Sequence, residues 1–183
     1  MRVITGSARG RKLLTPEGLD TRPTTDKVKE AICSALQFDF PGANVLDLFA
    51  GSGQMAIEAL SRGAHHAVLI DQDNRAIGCI RENIKNCGFT AQADIIKIDA
   101  VSYLSRCTEK FTIAFLDPPY RHGILETVLP LLVPHMAENG IILCEHEPDC
   151  NLPQTIQNYH LQKQKKYGKI EIAKYTNAEA EDN

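Results

Sequence analysis

The chain has 183 residues, 43% of them hydrophobic and 23% charged, with a formal net charge of -3. That is enough for one globular domain with a three-layer core, and it excludes a disordered tail or a uniformly basic nucleic-acid coat. A nucleic-acid partner would need a local basic patch, because the global charge repels phosphate weakly. The six cysteines (Cys33, Cys79, Cys87, Cys107, Cys144 and Cys150) contain no C-x-x-C pair, which argues against a zinc knuckle or a thioredoxin motif. They read as thiols in a reducing cytosol, four of them within periodic apolar segments. The N-terminus has no apolar signal core, and no apolar run approaches the ~20 residues of a spanning helix. A soluble, cytoplasmic, monomeric protein without a membrane contact is expected.

Residues 1–14 alternate weakly around Gly6 and Gly10, which predicts a short β-hairpin arm. Residues 1–12 carry Arg2, Arg9, Arg11 and Lys12 and no acid. A turn-rich link follows at Thr15-Pro16-Glu17-Gly18. Thr24, Thr25 and Asp26 are N-cap residues, and the apolar spacing after them predicts a helix from about Asp26 to Phe38. From Val45 onward, strands and helices alternate. Strands are predicted at Val45 to Phe49, Ala67 to Ile70, Ile95 to Ile98, Thr112 to Leu116 and Ile141 to Glu145. Helices are predicted after Gly53, after Asp71 and from Gly123 to Met136. This alternation predicts an α/β domain with a doubly wound parallel sheet. Tyr159 to Lys166 and Lys169 to Tyr175 predict a closing antiparallel hairpin rich in lysine. The small, acidic tail 176–183 is expected to be disordered. The division expected is one domain over 1–175, with a basic arm at 1–22 and the core at 23–175.

Ligands of an open parallel sheet bind beyond the carboxyl ends of its strands. Asp47, Asp71, Asp99 and Asp117 end the first four strands. Each alone could cap a neighbouring helix, but four such acids point to a binding edge. Gly51-Ser52-Gly53 lets a ligand approach the backbone and opens a helix whose N–H groups are free. Asp71 suits the two ribose hydroxyls of an adenosine. Gly51-Ser52-Gly53-Gln54-Met55-Ala56 also fits the G-x-G-x-x-A of NAD enzymes, so the glycines alone do not separate the two. Asp47 favours S-adenosyl-L-methionine: it would face a cationic amine, and it would repel a pyrophosphate.

Asp117-Pro118-Pro119-Tyr120 follows the fourth strand. Two prolines fix two φ angles and remove two N–H donors. The Asp117 carboxylate and the Pro118 carbonyl could each accept one hydrogen of an exocyclic amine. Both contacts favour a pyramidal nitrogen and the positive charge that develops on it. Tyr120 would stack on a base extruded from its helix. The tetrapeptide alone could merely end a strand. Its place after the fourth strand, with Asp47, Gly51, Gly53 and Asp71 upstream, points to methyl transfer onto a base amine. These residues leave guanine and adenine open.

Several further stretches carry a resemblance: Arg2 to Gly6, Arg9 to Leu13, Thr21 to Asp26, Asp47 to Gly53, Ile57 to Ala64 and Asp117 to Tyr120. In these the chain resembles the bacterial small-subunit rRNA guanine-N2 methyltransferases of the RsmD type, a class I (Rossmann-like) family. The resemblance implies a seven-stranded, mostly parallel sheet with helices on both faces, and S-adenosyl-L-methionine as cofactor. It implies transfer to N2 of a guanine in 16S rRNA, within a partly assembled small subunit. It places Asp47, Gly51 and Gly53 at the methionine part, Asp71 at the ribose, Asp99 and Ala100 at the adenine, and Arg22 and Thr24 near the carboxylate. Asp117, Pro118 and Tyr120 would hold the target base, and the arm with Arg9, Arg11 and Lys12 would grip RNA. No metal is implied. The chain departs from the usual pattern at Ala56, at Ile32-Cys33 and at Asp71, where glutamate is common; none of these removes a chemical group.

Rival readings are an adenine-N6 methyltransferase, a protein-glutamine methyltransferase, a non-catalytic RNA-binding assembly factor and an NAD oxidoreductase. Arg121, His122 and Glu145-His146 are further residues that could line the pocket. The C-terminal lysines read equally as a solvated face or a second RNA contact.

Overall fold

A computed structural model describes residues 1–16, 26–119 and 123–177, without the side chains of Asp26 and Lys27. The described elements run α1 (Asp26–Ala35), β1 (Asn44–Asp47), α2 (Gln54–Ser61), β2 (His66–Asp71), α3 (Asn74–Cys87), β3 (Ala93–Lys97), α4 (Ala100–Leu104), β4 (Phe111–Leu116), α5 (Ile124–Leu132), β5 (Met136–His146), β6 (Thr155–Ile156), β7 (Tyr159–Tyr167) and β8 (Ile170–Thr176).

The strands form one sheet in the order β3-β2-β1-β4-β5-β8-β7-β6. The first five are parallel, and β8, β7 and β6 close the edge antiparallel. Both faces are buried, which is why β1, β2 and β4 read as apolar runs rather than alternations. On one face Val45, Leu69, Ile113 and Leu143 pack with α1, α2, α3 and the arm. On the other, Leu46, Val68, Ala114 and Ile142 pack with α4 and α5.

The α/β doubly wound class is as the sequence predicts, but the sheet has eight strands rather than seven. The additional strand, β6, is only two residues long and lies beside Pro153, too short to give a pattern. A further helix, α4, has five residues and is held by its cap: Asp99 Oδ1 accepts from Ser102 N–H at 2.9 Å. Helix α1 ends at Ala35, three residues early, and leaves Phe38 88% exposed. Helix α5 ends at Leu132, followed by a single 3-10 turn, so β5 starts at Met136 and is longer than predicted. Strand β8 includes Thr176, the first residue of the expected tail, and residues 178–183 lie outside the described part.

The arm is a looser fold-back than the predicted hairpin. It has one bridge, Arg2 with Lys12, and tight bonds such as Val3 N–H to Arg11 O at 2.9 Å. What holds it is the core. Val3, Ala8 and Leu13 are buried, and their unpaired backbone groups find buried side chains. Glu58 Oε1 accepts from Ile4 N–H. Ser61 Oγ accepts from Ala8 N–H at 3.0 Å and donates to Thr5 O at 2.6 Å. Gly6 passes so close that a Cβ there would lie 1.7 Å from Ser61 O. Asn83, fully buried on α3, accepts from Leu14 N–H at 2.8 Å and donates to Leu14 O at 3.0 Å and Ser52 O at 2.8 Å.

Asn83 thus ties the arm to the glycine turn. Three hydrogen bonds from a buried side chain, at about 1 kcal/mol each, predict that Asn83→Ala costs about 3 kcal/mol of stability. Asn86→Ala, one turn on and exposed, should cost under about 0.5 kcal/mol. Urea midpoints of the two variants check this, and equal midpoints would remove Asn83 from this role.

Candidate functional site

Strands β1, β4 and β5 lie side by side, so their carboxyl ends form one edge. The β1–β4 register pairs Asp47 with Phe115, and the β4–β5 register pairs Leu116 with Cys144. Asp117 and Glu145 therefore leave adjacent strands together, beside Asp47. The strand order reverses between β1 and β4, the position where such sheets bind ligands.

Asp47 is 3% exposed, and the hydrogen bond recorded to it is from Ala56 N–H, at 3.3 Å. Burial chiefly, and then the charge of Asp71, raise its pKa from 3.8 to about 7, against the pull of that N–H. Asp71 is better supplied: Oδ2 accepts from Gly51 N–H at 2.9 Å and Oδ1 from Asp73 N–H at 2.9 Å. Burial still raises its pKa. The Gly51 contact fixes the turn after β1 to the end of β2.

Gly51 has φ +56°, and a Cβ there would meet nothing within 4 Å. Gly53 has φ +77° at the N-cap of α2, and its Cβ would press on Leu69 at 3.0 Å. Gly53 is thus needed for packing, whereas Gly51 leaves room for a ligand against its backbone. A buried carboxylate short of partners wants a cation, and S-adenosylmethionine carries an amine and a sulfonium. Asp47 and the open side of Gly51 fit that group.

Asp99 is exposed and caps α4; hydrogen bonds from the Ser102 side chain first, and then from its N–H, lower its pKa. Ala100 opens the same helix and is buried. Asp117 is exposed, one residue past the end of β4. Its pKa is pushed well above the usual carboxylate range by desolvation first, then by the charges of Glu145 and Asp47. Pro118 and Glu145 line an open recess of about 380 Å³, counting space continuous with solvent, together with Pro119, Ile124, Leu125 and His146.

Arg9, Arg11 and Lys12 are exposed. Arg11 is already engaged: its Nη1 donates to Asn86 O at 2.8 Å, near the carbonyl end of α3 where a cation is favoured. Arg22, Thr24 and Tyr120 lie outside the described residues, as do Arg121 and His122. Half of the cysteines (Cys33, Cys87 and Cys144) are buried, one fewer than the apolar pattern implies. Sequence reasoning missed the polar ties of Glu58, Ser61 and Asn83. The signal for Asn83 was present: an amide three residues after Ile80, inside the apolar stripe of α3. Among the described residues, no helix is long and apolar enough to cross a membrane.

Parallel sheet, glycine turn after β1, acid at the end of β2 and Asp-Pro-Pro after β4 define the class: an S-adenosylmethionine-dependent methyltransferase. The chain belongs to the family described as "Conserved hypothetical protein 95", whose model matches residues 1–176. It is the RsmD-type family to which the sequence pointed. The chain is 40% identical to "Putative rRNA methyltransferase YlbH" of Bacillus subtilis, over 96% of this chain and 98% of that protein. It is 37% identical to "Ribosomal RNA small subunit methyltransferase D" of Escherichia coli, over 96% of this chain and 89% of that one. Among solved structures, "Putative methyltransferase yhhF from Escherichia coli" superposes with a TM-score of 0.87 at 36% identity, over 96% of this chain and 97% of that one.

The pKa of Asp47 sets a pH dependence. Between pH 3.8 and about 7 the folded carboxyl keeps its proton while the unfolded one has lost it. The contribution of Asp47 to the stability of the free protein therefore falls as pH rises through that window and is flat above it. Asp47→Asn should remove this slope and weaken cofactor binding by at least about tenfold at pH 8. Thermal melts and calorimetry across pH 4–8 check both, and an unchanged slope in the variant would assign it to other groups.

Proposed function

We propose that the chain methylates the exocyclic N2 of a guanine in 16S rRNA, within a partly assembled small ribosomal subunit. The observation that carries this is Asp117-Pro118 at the end of β4, beside Asp47 at the end of β1. The relatives named as small-subunit rRNA methyltransferases support the RNA class. S-adenosylmethionine supplies the electrophilic methyl group when bound.

The residues of this chain do the rest. Asp47 faces the methionine amine, Gly51 and Gly53 admit the chain of the cofactor, and Asp71 takes the ribose hydroxyls. Asp99 and Ala100 border the adenine, with Arg22 and Thr24 at the carboxylate. The Asp117 carboxylate and the Pro118 carbonyl each accept one N2 hydrogen. This localises the nitrogen lone pair, otherwise delocalised into the ring, and stabilises the developing cation. Asp117 then takes the departing N2 proton. Its raised pKa makes it a stronger base than an ordinary aspartate, at the cost of activity in acid. Tyr120 stacks on the extruded base. Arg9, Arg11 and Lys12 grip the RNA backbone, and the protein acts as a monomer.

Asp117→Ala should cut methyl transfer at least about 1000-fold while cofactor affinity stays within about threefold. Full activity in that variant would sink the mechanism. Mass mapping of small-subunit rRNA from cells lacking the protein should show one N2-methylguanosine missing. A missing N6-methyladenosine would replace guanine by adenine, and an unchanged pattern would overturn the reading.

A further inference from the structure

We propose that the β7–β8 hairpin is a second RNA-docking surface, on which Lys163, Lys165 and Lys174 hold phosphates beside the extruded base. This rests on the RNA methyltransferase reading above and adds a contact separate from the arm. Strand β6 pairs with β7 only at Tyr159 and His160. From Gln162 to Lys166, β7 is therefore an exposed edge with no described strand beyond it. No acid occurs from Cys150 to Ile170, a stretch that carries Lys163, Lys165, Lys166 and Lys169.

Lysine on an exposed edge often serves only to block pairing with other chains. The register separates that role from docking. A bulge between Leu161 and Lys163 turns the side chains that follow onto the opposite face. Leu161 packs with the α4 and α5 core, whereas Tyr167 packs on the core that holds the arm. Lys163 and Lys165 share the face of Tyr167 by alternation. Lys163 stands directly opposite Lys174, a like-charge pair that costs stability. Lys165 is held over the Tyr167 ring at 5.2 Å, which fixes its ammonium. On the other face, Lys166 stands opposite Glu171, which also accepts from Gln164 Nε2. Edge protection works with charge on either face, but here the charge is compensated on one and concentrated on the other.

The same register gives the distance to the chemistry. Lys165 pairs with Ile172 and Ile172 with Glu145, while Asp117 lies on the next strand, one residue past the Leu116–Cys144 pair. Three strand spacings, about 14 Å, separate Lys165 from Asp117 along that row. Lys163 and Lys165 are two strand residues apart, about 7 Å, close to the spacing of successive phosphates. A backbone lying along these lysines thus delivers a base to Asp117 within a few nucleotides. The basic arm packs over the same face of the sheet, so both cationic surfaces address one side of the molecule.

The test measures binding to small-subunit particles, reconstituted from unmodified rRNA and purified proteins, over a range of salt. Lys163→Gln combined with Lys165→Gln should weaken binding at least about tenfold and lower the slope of log Kd against log salt by about 1.5. Lys163→Arg with Lys165→Arg should keep both affinity and slope. Lys166→Gln should change affinity by less than about twofold. The double Gln variant should melt no lower than wild type, because Lys163→Gln removes the repulsion from Lys174. Its KM for particles should rise with kcat and S-adenosylmethionine affinity unchanged. A photo-crosslinking residue in place of Lys169 should attach to rRNA. An unchanged slope, or an equal loss per charge removed in Lys166→Gln, overturns the proposal and leaves the lysines as edge protection. Attachment of the crosslinker to a protein overturns it in favour of a protein contact. A wild type that binds no particle would instead refute the RNA reading itself.

Discussion

Asp47, Asp71, Asp117 and Glu145 are crowded onto one edge of a parallel sheet, and their desolvation and mutual repulsion govern the site. Each strand ends there because the crossovers of an α/β fold return every parallel strand to the same side. The cost shows in the carboxyls: Asp47 is raised to about 7 and Asp117 well above its usual range. A sheet edge under such strain is stabilised by any cation or hydrogen-bond donor that enters it. A cofactor with two positive centres and a base edge carrying N–H groups answer the two halves of that demand. The same charges that destabilise the free protein thus become binding energy in the complex.

Holding these groups in place is a task for polar ties. Apolar packing fixes the sheet, but it is tolerant of small shifts. The turn after β1 is fixed by directional bonds: Gly51 N–H to Asp71, Ala56 N–H to Asp47 and Asn83 to Ser52 O. Glu58, Ser61 and Asn83 extend the lattice outward to the arm. These bonds are buried or partly buried, so a missing partner leaves a group with little water to replace it. The arm, the glycine turn and α3 consequently behave as one unit.

Most of this was legible from spacing. The alternation of apolar strands and amphipathic helices implied the sheet, and Asp47 and Asp71 do end their strands as that alternation implied. Asp71 and Asp47 sit as their spacing implied, and the helix-cap explanation holds for Asp99, whose side chain closes α4. The misses have a common physical cause. Elements of two to five residues, β6 and α4, are set by tertiary pairing and a single cap, which leave no periodic trace. The arm pairs its two halves as its alternation implied, and the same alternation buries Val3 and Leu13 against the helices. The hydrogen bond from Arg11 to Asn86 O at the carbonyl end of α3 joins residues 75 apart, which no local pattern announces. The role of Asn83 required knowing which backbone groups it would find.

On the proposed reading, an acidic pocket must admit one base of a polyanion. Phosphates are repelled by the carboxylates, so the RNA backbone has to be held at a distance and the base passed inward alone. Register says where the opposing charge lies. His146 pairs with Glu171, so the β7–β8 turn, with Tyr167, Gly168 and Lys169, extends past the carboxyl end of β5. Lys165 stands over the Tyr167 ring at 5.2 Å, and Lys163, Lys165 and Lys166 are exposed along β7. These lysines flank the edge at which Asp117 and Glu145 emerge. A basic rim around an acidic floor favours the backbone outside and an uncharged, donor-bearing base inside. On that reading a chain with net charge -3 serves a nucleic acid by keeping its lysines and its carboxylates on different parts of the surface.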